Sequence, residues 1–170
     1  MAAEHQSTVL AFLEVYESEC GMNPFACNVN ENGDTVAAGP IQFTRVGIGG
    51  LELNGVTATM RRVKDAVISK DLRYLIELQC VYLRRAAGGR PLRRSCDVYT
   101  AVFMPSFIGK PDNTVLACSA CDRPDFYFEN APALDGYRLD GDKILKSPRY
   151  RDGKITINDL SLALTYKKAA

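Results

Sequence analysis

The hydrophobic residues at the start of the chain follow helical spacing. From about Ser7 to Cys20, apolar side chains recur at intervals of three and four residues, which is the signature of a helix with one buried face. Ser7 can cap the start of this helix, and Gly21 can end it in a left-handed conformation. The pattern therefore predicts an amphipathic helix near the N-terminus.

The next stretch has a different pattern and predicts a small β element. Residues 28–50 are rich in Asn and Gly, and Asn32-Gly33 is a strong signal for a tight turn between two strands. We expect a hairpin here that ends near Gln42-Phe43-Thr44.

Helical spacing returns in the rest of the chain. We expect one helix over about Thr57 to Ser69, and a longer one that Asp71 caps and Gly88-Gly89 ends. Another starts at Ser95 and closes before Pro105. A C-terminal helix opens with the capping box Thr156-Ile157-Asn158-Asp159 and runs to about Tyr166.

The segment from Lys110 to Pro132 is dense in Pro, Asp and Asn, so we expect it to be loop-like. No internal repeat or linker interrupts the chain. Together these patterns predict an α+β fold that is predominantly helical, with one small β-hairpin, in a single domain spanning residues 1–170.

Composition agrees with one ordinary globular domain. The chain has 170 residues, 46% of them hydrophobic and 24% charged, with a net charge of +1, so no global charge favours nucleic acid as a partner. Arginines crowd one stretch, at positions 84, 85, 90, 93 and 94. They indicate a solvated surface or, alternatively, attraction to an anionic polymer.

Membrane and export signals are not expected. No apolar run approaches the roughly 20 residues needed to cross a bilayer. Residues 1–6 lack the basic and apolar regions of a secretory signal, so delivery outside the cytoplasm would need another route.

Cysteine usage does not indicate a metal site. The six cysteines are Cys20, Cys27, Cys80, Cys96, Cys118 and Cys121. Only the last two form a C-x-x-C pair, whereas structural zinc usually takes four ligands, and His5 is the sole histidine. We therefore expect ordinary buried or loop thiols, in preference to zinc or a redox pair, and we expect no metal and no cofactor.

The first helix carries three candidate acids for proton transfer, a role that favours a carboxylic acid beside apolar groups. Glu14 lies far from the apolar stripe and is expected to be solvated. Glu17 and Glu19 flank the stripe on opposite sides, so helical phase does not distinguish them.

Two short motifs bear on that choice. The run Glu19-Cys20-Gly21-Met22-Asn23-Pro24 and the later run ending in Gln42-Phe43 resemble the E-S-x-x-N-P and G-x-x-x-Q-F motifs of lytic transglycosylases, especially those of bacteriophages. The family's catalytic glutamate stands four residues before Asn and five before Pro. The resemblance therefore implies Glu19, and not Glu17, as the catalytic acid.

The resemblance also implies substrate-binding residues. Gln42 and Phe43 would line the sugar groove, and Cys20 would take the position of the family's serine, a departure because a thiol is a weaker hydrogen-bonding group. Residues 97–105 resemble the phage pattern D-L-Y-x-A-V-F-x-P, which makes Tyr99 the groove tyrosine that faces the acid. A core aromatic is the alternative for Tyr99.

The likeness extends from about Leu10 to Leu160. Gln79 and Tyr82 sit like a Q-L-x-Y-V stretch of the family, and residues 133–136 and 152–156 resemble its tail. The tail lacks the oxygen-rich spacing of a calcium loop.

The resemblance implies a lysozyme-like fold of the goose-type or SLT kind that cleaves the β-1,4 bond of peptidoglycan. The candidate second carboxylates, Glu31 and Asp34, lie in the Asn-Gly turn, where we expect solvated charges. The lack of a clear carboxylate partner for Glu19 favours the lyase route over hydrolysis. The glycan strand is the expected partner, with other virion or tail proteins as further candidates. The protein would reside in a phage virion or the host cytoplasm and act in the periplasm or cell wall.

Three alternatives stay open. A hydrolytic lysozyme or endolysin would share the fold. A non-catalytic phage tail protein would keep the fold with a decayed groove. A DNA-binding accessory protein would use the arginine cluster, with steep salt dependence.

Overall fold

The computed structural model describes residues 9–122 and 124–169, which form an α+β chain with about 49% helix. Its strands form small antiparallel sheets of two strands each. The chain divides between Arg93 and Arg94 into two compact units. The α+β class is thus confirmed, and the single domain over residues 1–170 stays a prediction.

The first unit contains four helices and two hairpins among its described residues. In chain order they are α1 (Val9–Cys20), β1 (Cys27–Val29), β2 (Thr35–Ala38), α2 (Arg45–Ile48), β3 (Glu52–Leu53), β4 (Val56–Thr57), α3 (Met60–Ser69) and α4 (Leu72–Ala87). Strand β1 pairs with β2, and β3 pairs with β4.

The predicted hairpin is present, and local hydrogen bonds hold its turn. The Asn30 side-chain oxygen accepts hydrogen bonds from the backbone N–H groups of Asn32 and Asp34, at 3.0 and 2.8 Å. Gly33 has φ +80°, a conformation that favours glycine. The Asn-Gly signal therefore located the turn correctly.

The helix ends of this unit follow the predicted capping. The Asp71 carboxylate accepts from the Tyr74 N–H at 3.0 Å to start α4, and Gly88 ends that helix in the left-handed region. Helix α3 starts at Met60, later than expected, because Thr57 is part of β4. Gly21 ends α1 with φ +56°, whereas the expected cap Ser7 lies outside the described residues.

The core of the first unit is made by the apolar faces of its longer helices. The largest fully buried side chains there are Val15, Ile48, Val63, Leu75, Leu78, Gln79, Leu83 and, beyond the helices, Leu92. Burial of such faces supplies most of the stability of short helices, since isolated helices of this length are marginal in water.

The second unit mixes helices with two further strand pairs. Its elements are α5 (Ser95–Phe103), β5 (Val115–Cys118), α6 (Pro124–Leu134), β6 (Tyr137–Asp140), β7 (Lys143–Lys146), β8 (Lys154–Thr156) and α7 (Ile157–Ala169), with 3-10 turns at Pro105–Phe107 and Pro148–Tyr150. Strand β5 pairs with β8, and β6 pairs with β7. The capping box of α7 is confirmed, because the Asp159 carboxylate accepts from the Thr156 N–H at 2.7 Å and the Asp159 N–H donates to the Thr156 hydroxyl.

The prediction of a loop over residues 110–132 was wrong. It holds β5, whose buried Leu116 and Ala117 pack inward, and α6, which Pro124 starts at a position where a missing N–H costs nothing. Pro132 lies inside α6, where its missing N–H removes one intrahelical hydrogen bond, yet the helix continues to Leu134. Proline content was a poor guide because proline is tolerated at the start of a helix and because α6 buries Tyr127, Ala131 and Leu134.

The expectation of free thiols at the C-x-x-C pair was also wrong. Cys118 and Cys121 form a disulfide across the turn that follows β5. The other four cysteines, Cys20, Cys27, Cys80 and Cys96, are not part of a disulfide. Within the described ranges, no helix is both long and apolar enough to cross a membrane.

Asp135 is a buried carboxylate that depends on one phenol. It is 3% exposed at the end of α6, and the Tyr127 hydroxyl donates a hydrogen bond to its Oδ2. Burial, followed by the Asp135 hydrogen bond and charge, raises the pKa of Tyr127 to about 12, so this phenol stays protonated and donates.

Tyr127→Phe should therefore lower the free energy of unfolding by about 1–3 kcal/mol, because it leaves the buried Asp135 carboxylate without this donor. Urea unfolding followed by circular dichroism would measure the change. Tyr150→Phe is the matched control, since its hydroxyl accepts only from the exposed Arg149 side chain, and should change stability by less than about 0.5 kcal/mol. Equal decreases in the free energy of unfolding for the two variants would show that the Tyr127–Asp135 hydrogen bond does not stabilise the fold more than the exposed Arg149–Tyr150 bond does.

Candidate functional site

The Asn23-Pro24 motif builds the turn between α1 and the first hairpin. The Asn23 N–H donates to the Cys20 carbonyl at 2.9 Å, and the Asn23 side-chain oxygen accepts from the Phe25 N–H at 3.1 Å. The Ala26 carbonyl then accepts from the Gly39 N–H at 2.9 Å, which ties this turn to the end of β2. The motif thus fixes the helix end that carries Glu19 relative to the loop that carries Gln42.

Gln42 sits in a tight turn after β2. Its φ of +51° is unusual for a non-glycine residue, and its backbone N–H donates to the Gly39 carbonyl at 3.1 Å. Its Nε2 also donates to that carbonyl at 2.9 Å, while its Oε1 accepts from the Asn28 amide at 2.8 Å. Both ends of the half-buried amide are therefore engaged within the first unit.

Phe43 anchors this turn on helix α4. Its backbone exchanges two hydrogen bonds with Ala38, of 2.7 and 3.1 Å, and its side chain is 2% exposed. The Phe43 ring meets the Tyr82 ring edge to face, with centroids 6.1 Å apart. The loop that carries Gln42 is thus packed on Tyr82.

Glu19 lies on the last turn of α1 and is half-buried. Burial raises the pKa of Tyr82, the Arg85 charge lowers it, and the negative charge of Glu19 raises it, so the charge of Glu19 acts on the Tyr82 hydroxyl. Glu17, by contrast, is exposed. Burial therefore distinguishes the two candidate acids, which helical phase alone left equivalent, and it favours Glu19.

We call Glu19, Phe43 and Tyr82 together the Tyr82 cluster. The cluster brings one residue from each of the two sequence motifs to a single phenol on α4. A half-buried carboxyl group beside aromatic side chains is a setting that suits proton transfer to a bound sugar. The sequence predicted no role for Tyr82 beyond its place in a family-like stretch. Its interactions with Phe43 and Glu19 in the structure identify it as part of the candidate site.

Gln79, the other residue of the family-like stretch on α4, lies near Tyr16 of α1. Gln79, one turn before Tyr82 on α4, is fully buried, and neither atom of its amide has a hydrogen-bond partner within residues 9–122 and 124–169. Burial raises the pKa of Tyr16 strongly, the neighbouring Gln79 amide lowers it, and the Cys80 and Cys20 thiols raise it. The Tyr16 hydroxyl therefore lies near this amide. A buried amide on a helical stripe carries no sequence signal of its own.

Cys20, in the position of the family's serine, is half-buried. Its Sγ donates to the Tyr16 carbonyl of the preceding helical turn at 3.1 Å. Burial raises the pKa of this thiol, backbone hydrogen bonds lower it, and the Glu19 charge raises it, so the thiol stays protonated beside the carboxylate.

Tyr99 belongs to the second unit, on α5. It is 8% exposed, and its ring stacks on Phe103 with centroids 6.0 Å apart. Phe103 in turn contacts Phe126 at 5.2 Å. These contacts fit the core alternative, and a role for Tyr99 facing Glu19 stays a prediction.

Two members of the arginine cluster have structural roles. Arg85 donates to the carbonyls of Gly49 and Gly47, both at 2.6 Å, and so holds the α2 turn. Arg94 pairs with Asp97 at 3.1 Å and with Asp112 at 3.0 Å. These engagements weaken the interpretation of the cluster as a surface for an anionic polymer.

The candidate second carboxylates, Glu31 and Asp34, are both exposed in the hairpin turn, as expected. Among the described residues, no three potential ligands from His, Cys, Asp and Glu come together in a way that could hold a metal ion.

Comparison with known proteins gives no relative: no family model, no curated protein and no solved structure matches the chain.

Gly39 tests how the Gln42 turn is held. Its φ is +85°, and a Cβ there would lie 3.1 Å from the Phe43 ring and 3.4 Å from Leu75. Gly39→Ala should therefore combine backbone strain of roughly 1–2 kcal/mol with displacement of Phe43. Gly33, with φ +80° and open space around it, is the matched control that reports strain alone. Chemical denaturation should show that Gly39→Ala lowers the free energy of unfolding by about 1 kcal/mol or more beyond the decrease caused by Gly33→Ala. Equal decreases in the free energy of unfolding for the two variants would mean that Phe43 moves aside without cost.

Proposed function

We propose that the protein is a lysozyme-like enzyme that cleaves the β-1,4 bond between N-acetylmuramic acid and N-acetylglucosamine in bacterial peptidoglycan, as a phage lytic transglycosylase. The observation that carries the proposal is the Tyr82 cluster. Within the first unit, Phe43 from one family-like motif packs on the Tyr82 ring, and the charge of Glu19 from the other motif raises the pKa of Tyr82.

In this proposal Glu19 acts twice. Its carboxyl proton goes to the glycosidic oxygen as the bond to the anomeric carbon breaks, and the sugar's own acetamido oxygen attacks that carbon. The Glu19 carboxylate then takes the proton of the 6-hydroxyl group, whose oxygen replaces the acetamido oxygen and closes a 1,6-anhydro ring. No water is consumed, so no second carboxylate is required.

The surroundings of Glu19 support this role. Glu19 is half-buried, and the two aromatic side chains of the Tyr82 cluster are buried, so the proposal places the carboxyl group at the border between an apolar core and solvent. Gln42 would hydrogen-bond the substrate's acetamido or hydroxyl groups by exchanging its present bonds to Asn28 and Gly39. Cys20 would add a further sugar contact, and the groove role that the resemblance implies for Tyr99 stays a prediction.

Before it acts on the wall, such an enzyme would reside in the virion or the host cytoplasm. The glycan strand is its proposed partner, and other virion or tail proteins are further candidates. No cofactor takes part. A hydrolytic lysozyme of the same fold is the nearest alternative, and it would require Asp34 or Glu31 to position a water.

A non-catalytic tail protein is the second candidate, and one observation favours it. The Gln42 amide is already hydrogen-bonded at both ends by Asn28 and Gly39, as a purely structural glutamine would be. A protein of this kind would bind without cleaving.

Glu19→Gln should reduce wall lysis by at least about 100-fold, because it keeps the size and polarity of the side chain but removes the transferable proton. Turbidity loss of purified cell walls would measure lysis, and thermal unfolding would check that the fold is intact. Glu17→Gln, on the same helix but exposed, is the matched control and should change activity little. An active Glu19→Gln with an inactive Glu17→Gln would show that the acid lies in the other register, and a wild-type protein without activity would favour the tail protein.

The products distinguish the two enzymatic routes. Mass spectrometry of muropeptides after digestion should find 1,6-anhydro-muramic ends, each lighter by one water than a reducing end. A lysozyme control digest of the same walls gives the reducing ends for comparison. Predominantly reducing ends in both digests would mean that an exposed carboxylate such as Asp34 activates water after all.

A further inference from the structure

The first unit contains a concave surface that no residue of the Tyr82 cluster lines. It is an open cleft of about 670 Å³ between the tip of the β1–β2 hairpin, the α2 turn and the first turns of α3. None of Glu19, Gln42, Phe43 and Tyr82 lines it. We call it the α3 cleft.

Positive charge dominates the α3 cleft. Arg45, Arg61 and Lys64 line it, and Asp34 is the one carboxylate on its wall. All three cations are exposed, and none of them forms an ion pair with any residue in the described ranges. The cleft therefore presents three uncompensated cations against one anion.

The position of Arg61 is unfavourable for the helix itself. It lies in the first turn of α3 with Arg62, and that turn has no acidic residue. The positive end of the helix dipole disfavours cations there. An anion bound in the cleft would offset this repulsion. Binding of an anion would therefore explain why cations occupy the first turn of α3, which helix stability does not explain.

The walls of the cleft are held in place. Arg85 fixes the α2 turn through the carbonyls of Gly47 and Gly49, and so positions Arg45 and Val46. Asn30 fixes the hairpin tip, and strand β2 packs against α3. A preformed site loses less conformational entropy when it binds a ligand.

The lining also carries small apolar and hydroxyl surfaces beside the charges. Val46 is 90% exposed and Val36 is 46% exposed, next to the side chains of Thr35 and Thr44. This mixture matches a peptide with carboxylates and short aliphatic side chains better than a uniformly charged polymer, which would need no apolar contact.

We infer that the α3 cleft binds the acidic peptide that branches from the peptidoglycan strand, with Arg45, Arg61 and Lys64 contacting its carboxylates. This inference rests on the proposed function, because it takes the strand as substrate. It adds that recognition involves the peptide as well as the sugars.

Isothermal titration calorimetry with the full chain carrying Glu19→Gln would test the inference without turnover. The probes are glycan fragments that carry the peptide, the same fragments after an amidase removes it, and the free peptide. The peptide-bearing fragments should bind about tenfold more tightly than the stripped ones at low salt, and the difference should shrink as salt screens the charges.

The charge dependence is tested by variants in the same background. Arg61→Gln with Lys64→Gln should abolish the preference for peptide-bearing fragments. Arg62→Gln is the matched control, because Arg62 is the adjacent cation on the same helix but does not line the cleft, and it should retain the preference. Thermal unfolding of each variant checks that α3 is intact.

Equal binding of stripped and peptide-bearing fragments, or equal behaviour of the two sets of variants, would overturn the inference while leaving glycan cleavage standing. Arg61-dependent binding of the free peptide alone, without binding of any glycan, would support the cleft as a peptide site and overturn the proposed enzyme. Failure of all three probes to bind would overturn both.

Discussion

The packing of Phe43 against Tyr82 is the contact on which the candidate site depends. It holds the turn of Gln42 on helix α4, and the charge of Glu19 acts on the same phenol from the end of α1. Gly39 makes the contact possible, because a side chain there would meet the Phe43 ring. Glu19 and Gln42, which are well separated in the sequence, are thus related in space through one buried residue.

Local signals predicted the elements that present these residues. The apolar stripe located α1, Gly21 ended it, Asn32-Gly33 marked the hairpin, and Asp71 with Gly88 bounded α4. Each of these features depends on local effects: a side chain that accepts a hydrogen bond from a nearby backbone N–H group, or a glycine that adopts a positive φ. Such effects can be predicted from the sequence because they involve residues that are close together in the chain. The choice of Glu19 over Glu17 needed burial, which depends on α4 and cannot be read from α1 alone.

Features that depend on distant parts of the chain were missed. Strand β5 pairs with β8, which lies far along the sequence. Without that partner, the sequence of β5 and its neighbours predicts a loop. The Cys118–Cys121 disulfide, the buried amide of Gln79 and the α3 cleft likewise depend on how elements pack. A lysozyme-like fold stays a proposal that rests on short motifs, and its support is that Phe43 packs on Tyr82 and the Glu19 charge acts on the same residue.

The structure of Glu19→Gln with a bound N-acetylmuramic acid–N-acetylglucosamine oligomer tests the central claim most directly. We expect the scissile glycosidic oxygen to lie about 3 Å from the side chain at position 19, with an acetamido or hydroxyl group of the sugar on Gln42. An oligomer that binds away from the Tyr82 cluster, or that leaves position 19 without contact to the glycosidic oxygen, would contradict the assignment of Glu19 as the acid.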